Sequence, residues 1–404
     1  MAGAMPSRVL LVGSSFSAAP IFACLKERGL HITVCGRHEG DPCHQYADAS
    51  SFIDYSNKDD LLQLVERGDF DAIIPTCNDF SYISCAFVAS KTGHRGFDDW
   101  TTTNIIHTKA LFRAFCAEHS IAAPRAVSGP RTASASDWLA VMAQKGMGWP
   151  ILIKPVDSFS GRGVTRLACD DGLGAAIARA QDESRTGEIL IEEFGEGSLH
   201  SHSAFVENGS IVWDTFVDEY CTVYPYQVNC SHSPSLLPEH HRQFVRAEMN
   251  KVIRAGKLAD GLLHTQFIAE TGRIWIIESM RRCPGDLYNR LIERATGFRY
   301  TDWYARKFLG EPYPDVDAAG VQRFIGRHTV SIDSEWIVSG IDVAAGFEDV
   351  CVVPLKGSAE KLYPAPGDKY AIAFVRFASA DQMSRVAPRL KDFIRPIVLE
   401  SIER

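Results

Sequence analysis

The sequence predicts an α/β chain with a Rossmann-like N-terminal domain, a middle region of short strands and turns, and a small β-rich C-terminal subdomain. Three observations carry this reading. The apolar run Arg8–Val12 passes into Gly13-Ser14-Ser15, a helical stretch over 18–28 and a second apolar run, His31–Cys35. That order is the β–α–β opening of a parallel sheet. From 151 to 290, β-branched runs alternate with glycine-bearing turns, and beyond Pro312 and Pro314 strands are predicted over 322–330, 351–354 and 370–377.

In the first part, Gly29 stands where a helix C-terminus needs a left-handed residue. Only Gly13 occupies the first turn, so the glycine fingerprint of a dinucleotide site is missing. The run 71–75 repeats the strand pattern and ends at Thr76-Cys77-Asn78-Asp79. Polar residues at the carboxyl end of a parallel strand commonly line a crevice. Further on, 104–119 reads as one helix containing Lys109, AVSG after Pro124 as a strand, and 137–145 as another helix.

At 404 residues with 46% hydrophobic composition, the chain is long enough for two or three domains. A net charge of -8 with dispersed Lys and Arg argues against nucleic acid as a partner. The 11 cysteines include no CxxC pair, which points to free thiols in a reducing, cytoplasmic setting. No apolar run of about 18 residues is present to span a bilayer.

Three segments carry the chemistry. In ILIKPVDSFSGRGVTRL (151–167), a strand delivers Lys154 to its end, and a loop with Ser158, Ser160, Gly161 and Gly163 returns to a strand at Val164. A lysine neutralises phosphate, and glycines let backbone N–H groups face phosphate oxygens. In EILIEEFGEGSLHSHSAFVENGSIV (188–212), an apolar strand ends in Glu192, Glu193 and Phe194, where backbone and carboxylate can meet adenine and ribose. In GLLHTQFIAETGRIWIIESMRRCPGD (261–286), strands meet at Thr271-Gly272 and place Gln266 and Glu278 on one face, with Arg282 just beyond. Paired oxygen ligands suit Mg²⁺ shared with a triphosphate. Each of the first two segments, taken alone, is also an ordinary hairpin or a solvated strand end.

Taken in order and separation, these segments resemble the ATP-grasp superfamily, in its carboxylate–amine ligase type with an ATP-binding domain like that of carbamoyl-phosphate synthase and biotin carboxylase. The resemblance runs from about residue 5 to 315. It implies an ATP-grasp fold divided into a Rossmann-like domain (1–100), a two-lobed ATP-grasp domain (101–315) and a C-terminal subdomain (316–404). It implies ATP and Mg²⁺ as cofactors, with Mn²⁺ as a substitute. The family's ATP lysines match Lys109 in IIHTKALFR and Lys154 in IKPVDSFSGRGV. Its adenine hinge matches Ile191-Glu192-Glu193-Phe194, its metal pair Gln266 and Glu278, and its phosphoryl-binding arginine Arg282 in ESMRR. His200 takes the ribose or phosphate position. Two departures stand out: Gln266 replaces an acid, and Met280 stands where an asparagine is common.

The implied activity joins a small-molecule carboxylate to an amine through an acylphosphate, releasing ADP and phosphate, with Arg282 and Lys154 as catalytic residues. The alternatives are a carboxylase acting through carboxyphosphate and a nucleotide-binding regulator with a degenerate metal site. A homodimer is compatible with the family. Substrate recognition is expected around Gly13–Phe16, Thr76–Asp79 and the 220–233 segment. Cys283 reads as a small buried side chain rather than a nucleophile, and His202, His232, His240 and His241 read as surface or substrate-loop residues.

Overall fold

Four parallel strands begin the computed structural model, which describes residues 7–129, 133–157, 161–316 and 321–399. Their order is Ala49–Ser51, His31–Cys35, Arg8–Val12, Ala72–Pro75. Helices Ala19–Glu27, Lys58–Gly68 and Asp79–Thr92 belong to this unit. Val12 pairs with both Cys35 and Pro75, so the strand ends align where the predicted crevice opens. Gly13 has φ 117° there, and a Cβ would fall 1.9 Å from the Thr76 hydroxyl oxygen. Only glycine fits that turn.

The single helix expected over 104–119 is two helices, Trp100–His107 and Lys109–Glu118. Thr108 breaks it by adopting extended backbone (φ −104°, ψ 114°), a conformation β-branched residues tolerate well. Lys109 therefore opens the second helix instead of lying inside a longer one.

A small antiparallel sheet follows, in the order Ala126–Gly129, Ile189–Glu193, Ile151–Pro155, Thr165–Leu167. Trp138, Met142 and Ile177 from helices Ala135–Gln144 and Leu173–Glu183 pack on its Ile151, Ile153 and Ile191.

The remainder centres on an eight-stranded sheet in the order Arg273–Met280, Gly261–Glu270, Ser198–Glu207, Ser210–Tyr220, Cys230–Ser233, Ile325–Val330, Ala371–Arg376, Asp349–Pro354. Helix Glu239–Gly256 packs on one face through Val245, Met249 and Val252, while Tyr288, Leu291, Tyr300 and Trp303 cover the other. Burial on both faces removes the usual alternation, and 200–206 are buried without interruption. The hairpin turn at 271–272 pairs Glu270 with Arg273, and a bulge farther along brings Gln266 opposite Glu278. One residue later, Phe267 pairs with Ile276, leaving Ile277 as a bulge beside Glu278. Bulges re-aim neighbouring side chains.

Past residue 316 there are six strands. Those not read from the sequence, Trp336–Val343, Glu360–Leu362 and Ile394–Val398, form a separate three-stranded sheet. It leaves Trp336, Ile337 and Ile397 exposed, so no clean apolar-polar alternation marks it.

Candidate active site

A cleft of about 1170 Å³ separates the small sheet from the long one and reaches the crevice of the N-terminal unit. Of the residues singled out from the sequence, Lys109, Lys154, Gly161, Val164, Glu192, Glu193, Phe194, Gln266, Glu278 and Arg282 all line it. Ser158 and Ser160 lie outside the described residues.

The small sheet brings its charges to the cleft already matched. Lys154 and Glu192 sit on neighbouring strands and form an ion pair, and Arg113 Nε donates to the second Glu192 oxygen at 2.9 Å. Burial works against the Glu192 charge, but Arg113 and Lys154 outweigh it and hold the carboxyl below its ordinary value. Burial moves the Lys154 ammonium the other way, down from its ordinary value, with Glu192 opposing. Glu193 binds Arg125 at 2.6 Å and accepts from the Gly148 N–H. Phe194 stacks beneath the Arg166 guanidinium, 4.9 Å from ring centre.

Arg282 is matched as well, across domains. Its Nη2 and Nε donate to Asp79 at 2.9 and 3.2 Å, and His107 reaches the same carboxylate at 3.1 Å. Although burial opposes it, Arg282 and His107 hold Asp79 well below the carboxylate range. Arg281 makes the corresponding buried pair with Asp98 at 2.8 Å. The two arginines after the hairpin therefore tie the cleft to the N-terminal unit.

The long sheet differs. Glu278 lines the cleft and forms no ion pair among the described residues. Gln266 Nε2 donates to Glu219 Oε2 at 2.6 Å. Glu219, 4% exposed, was not read as a site residue from the sequence. Burial raises its carboxyl above its ordinary value, and Arg327 is the main opposing charge. Arg327 was also missed. It is buried, lines the cleft, donates to the Ser231 hydroxyl at 2.8 Å and to the Asp286 carbonyl at 3.1 Å, and its Nε has no partner. Neither stands out in the sequence: Glu219 follows Asp218 in a strand that also holds Asp214, and Arg327 precedes His328 and Thr329.

Two glycine-loop and strand residues sit elsewhere. Gly163 packs against Pro155 and Glu183 with φ 71° and does not line the cleft. His200 is buried outside the lining, with Nδ1 on Asp218 at 2.7 Å and Nε2 on the Ser198 hydroxyl at 2.6 Å.

The reading of His202 and His232 as surface residues is corrected. Both are fully buried, His202 against Asp214 at 2.9 Å and His232 between Tyr220 and the Pro234 carbonyl, because both faces of their sheet are covered. His240 and His241 line a second, smaller pocket with Arg273 and Trp275. Cys283 is buried, and burial pushes its thiol well up. From the expected substrate regions, Phe16, Cys77–Asp79 and Tyr220–Thr222 line the cleft, whereas Gly13 and Ser14 do not.

No family model matches the chain. It is 27% identical over 380 residues to a formate-dependent phosphoribosylglycinamide formyltransferase from Parasynechococcus marenigrum, covering 92% of this chain and 93% of the relative. A protein of the same name from Synechococcus sp. is 25% identical over 321 residues, covering 78% and 79%. Two Prochlorococcus marinus proteins of that name match over about half their length, 48%. Among solved structures, phosphoribosylglycinamide synthetase from Anaerococcus prevotii superposes with a TM-score of 0.78 at 16% identity, over 97% of this chain and all (100%) of that one. L-amino acid ligase from Bacillus licheniformis gives 0.76 at 15% identity over 98% and 100%.

The chain has an ATP-grasp fold of the carboxylate–amine ligase and biotin-carboxylase type.

Proposed function

We propose that the chain is an ATP-dependent ligase that joins a carboxylate substrate to an amine through an acylphosphate. The observation that carries this reading is one cleft in which Lys109, Lys154 and Arg282 face the cross-strand oxygens of Gln266 and Glu278. The residues fit a divalent cation: Glu278 forms no ion pair among the described residues, and oxygen donors on paired strands suit Mg²⁺ or Mn²⁺. Such an ion, when bound, would neutralise phosphate charge. The small sheet would hold the nucleotide, with the 191–194 strand end at adenine and the lysines at the phosphates.

The substrate carboxylate would attack the γ-phosphorus, forming a C–O–P linkage as the bond to ADP breaks. The amine would then displace phosphate and lose a proton. Arg282 serves here by positioning and charge, shared with Asp79. Arg327, buried and without a carboxylate partner among the described residues, would seat an anionic group of a substrate. The names of the relatives, formate-dependent formyl transfer to phosphoribosylglycinamide and L-amino acid ligation, are in keeping with a carboxylate and an amine. Eleven free cysteines fit a cytoplasmic setting. No helix among the described residues is long and apolar enough to cross a membrane.

The test is product release from Mg-ATP across carboxylates and amines supplied singly and in pairs. ADP and phosphate formed only with a carboxylate–amine pair supports the ligase. Turnover with bicarbonate alone replaces it with a carboxylase, and AMP release overturns the acylphosphate route. Nucleotide binding without turnover under any pairing would favour a regulatory role.

A further inference from the structure

The long sheet carries a pairing that the metal-site reading leaves unexplained. At position 266 a glutamine stands where an acid would bring charge, and the strand next but one supplies a buried acid that touches it. Gln266 pairs with Glu278 on one side and with Ser201 on the other. Ser201 in turn pairs with Val217, which puts Glu219, two residues on, on the same face as Gln266 and one strand beyond Ser201. Contact is direct, Gln266 Nε2 to Glu219 Oε2 at 2.6 Å.

Glu219 is almost completely buried, lines the cleft and forms no ion pair among the described residues. The nearest guanidinium, Arg327, lies two strands away through Ser231, and its donors go to the Ser231 hydroxyl and the Gly285 and Asp286 carbonyls. A buried carboxylate in that position costs free energy unless a cation comes near.

We infer that Glu219 is a positioning residue for the divalent cation, orienting the Gln266 amide and supplying the negative charge absent at 266. The inference rests on the metal-site reading above. Gln266 Nε2 donates to Glu219 Oε2, and that amide orientation turns Oε1 away from 219. That leaves the one metal-competent atom of Gln266 free on the remaining side. Outer carboxylates commonly set ligand orientation and affinity in this way. Glutamate at 266 would instead press two carboxylates together. Gln266 and Glu219 therefore act as a unit, with the charge displaced by one residue from the ligand to its partner.

The pair is tested by Mn²⁺ binding in the presence of ADP, followed by electron paramagnetic resonance, on the full chain. ADP binding without metal and circular dichroism control for folding. Glu219→Gln is expected to weaken Mn²⁺ roughly 10- to 100-fold. The swap Glu219→Gln with Gln266→Glu is expected to return affinity to within about threefold of the starting chain, since it restores one acid and one amide. Glu219→Gln with unchanged affinity, while Glu278→Gln loses it, overturns the inference and leaves the metal site standing. A swap no better than the single variant also overturns it. Unchanged Mn²⁺ binding in Glu278→Gln removes the metal-site reading and this inference together.

Discussion

The two walls of the cleft handle charge differently. On the small sheet, Glu192 lies between Lys154 and Arg113, and Glu193 is held by Arg125. On the long sheet, Glu219 and Glu278 face the same space without an ion-pair partner among the described residues. The strand Ser210–Tyr220 contains both arrangements. Asp214 at one end is paired with His202 at 2.9 Å and Arg246 at 2.6 Å, while Glu219 at the other has only hydrogen-bond donors. Matched charge is structural capital already spent on the fold. Unmatched buried charge is an invitation to a ligand.

That contrast is broken most severely by Glu192→Gln, which leaves Lys154 and Arg113 buried with no counter-charge. A loss of about 3–5 kcal/mol in urea unfolding is expected. Glu278→Gln should do the opposite, changing unfolding by less than about 0.5 kcal/mol. The same variant should lower ATP turnover by roughly 10²–10³-fold. If both variants shift unfolding equally, the distinction between the walls is wrong.

The paired end of the 210–220 strand is sharpened by pH. Burial raises the Asp214 carboxyl, but His202 and Arg246 outweigh it and bring it to about 2. Because its folded value is depressed, its stabilising contribution is present above the unfolded value near 4 and disappears as pH falls toward 2. Its size above pH 4 is about 2 kcal/mol. Urea midpoints of the wild type and Asp214→Asn should therefore converge between about pH 4 and pH 2. Parallel curves would show that the pair contributes nothing. The smallest effect is expected of Arg125→Ala. Its guanidinium is about half exposed, so thermal unfolding should register no more than about 1 kcal/mol.

The sequence showed the hairpin best through its Thr271-Gly272 turn, but that turn alone would set Gln266 opposite Ile277, and the bulge that brings Glu278 opposite it has no local signal. Lys154 and Glu192 were visible as strand ends, though not as partners, since their meeting depends on strands 38 residues apart. Glu219 and Arg327 escaped notice because no local pattern distinguishes a buried charge facing a cleft from one facing water. The histidines misled for a related reason. In HSHSAF four consecutive polar residues give no local sign of burial, whereas helices cover both sides of that sheet. Thr108 shows the limit for helices: the periodicity continues across it, and tertiary packing breaks the element in two.

The order of strands in the long sheet has a consequence for how the chain is made. Cys230–Ser233 is bonded on one side to Ser210–Tyr220 and on the other to Ile325–Val330, which continues into Ala371–Arg376. A ribosome delivers the segment carrying Glu219, Gln266 and Glu278 long before the strands that close its far edge. Until residue 330 emerges, Cys230–Ser233 presents open backbone groups to any passing strand. Synthesis of this chain thus passes through a stage with the catalytic floor written but its border unsealed, and a nascent chain stalled near residue 315 would be the form most prone to aggregate.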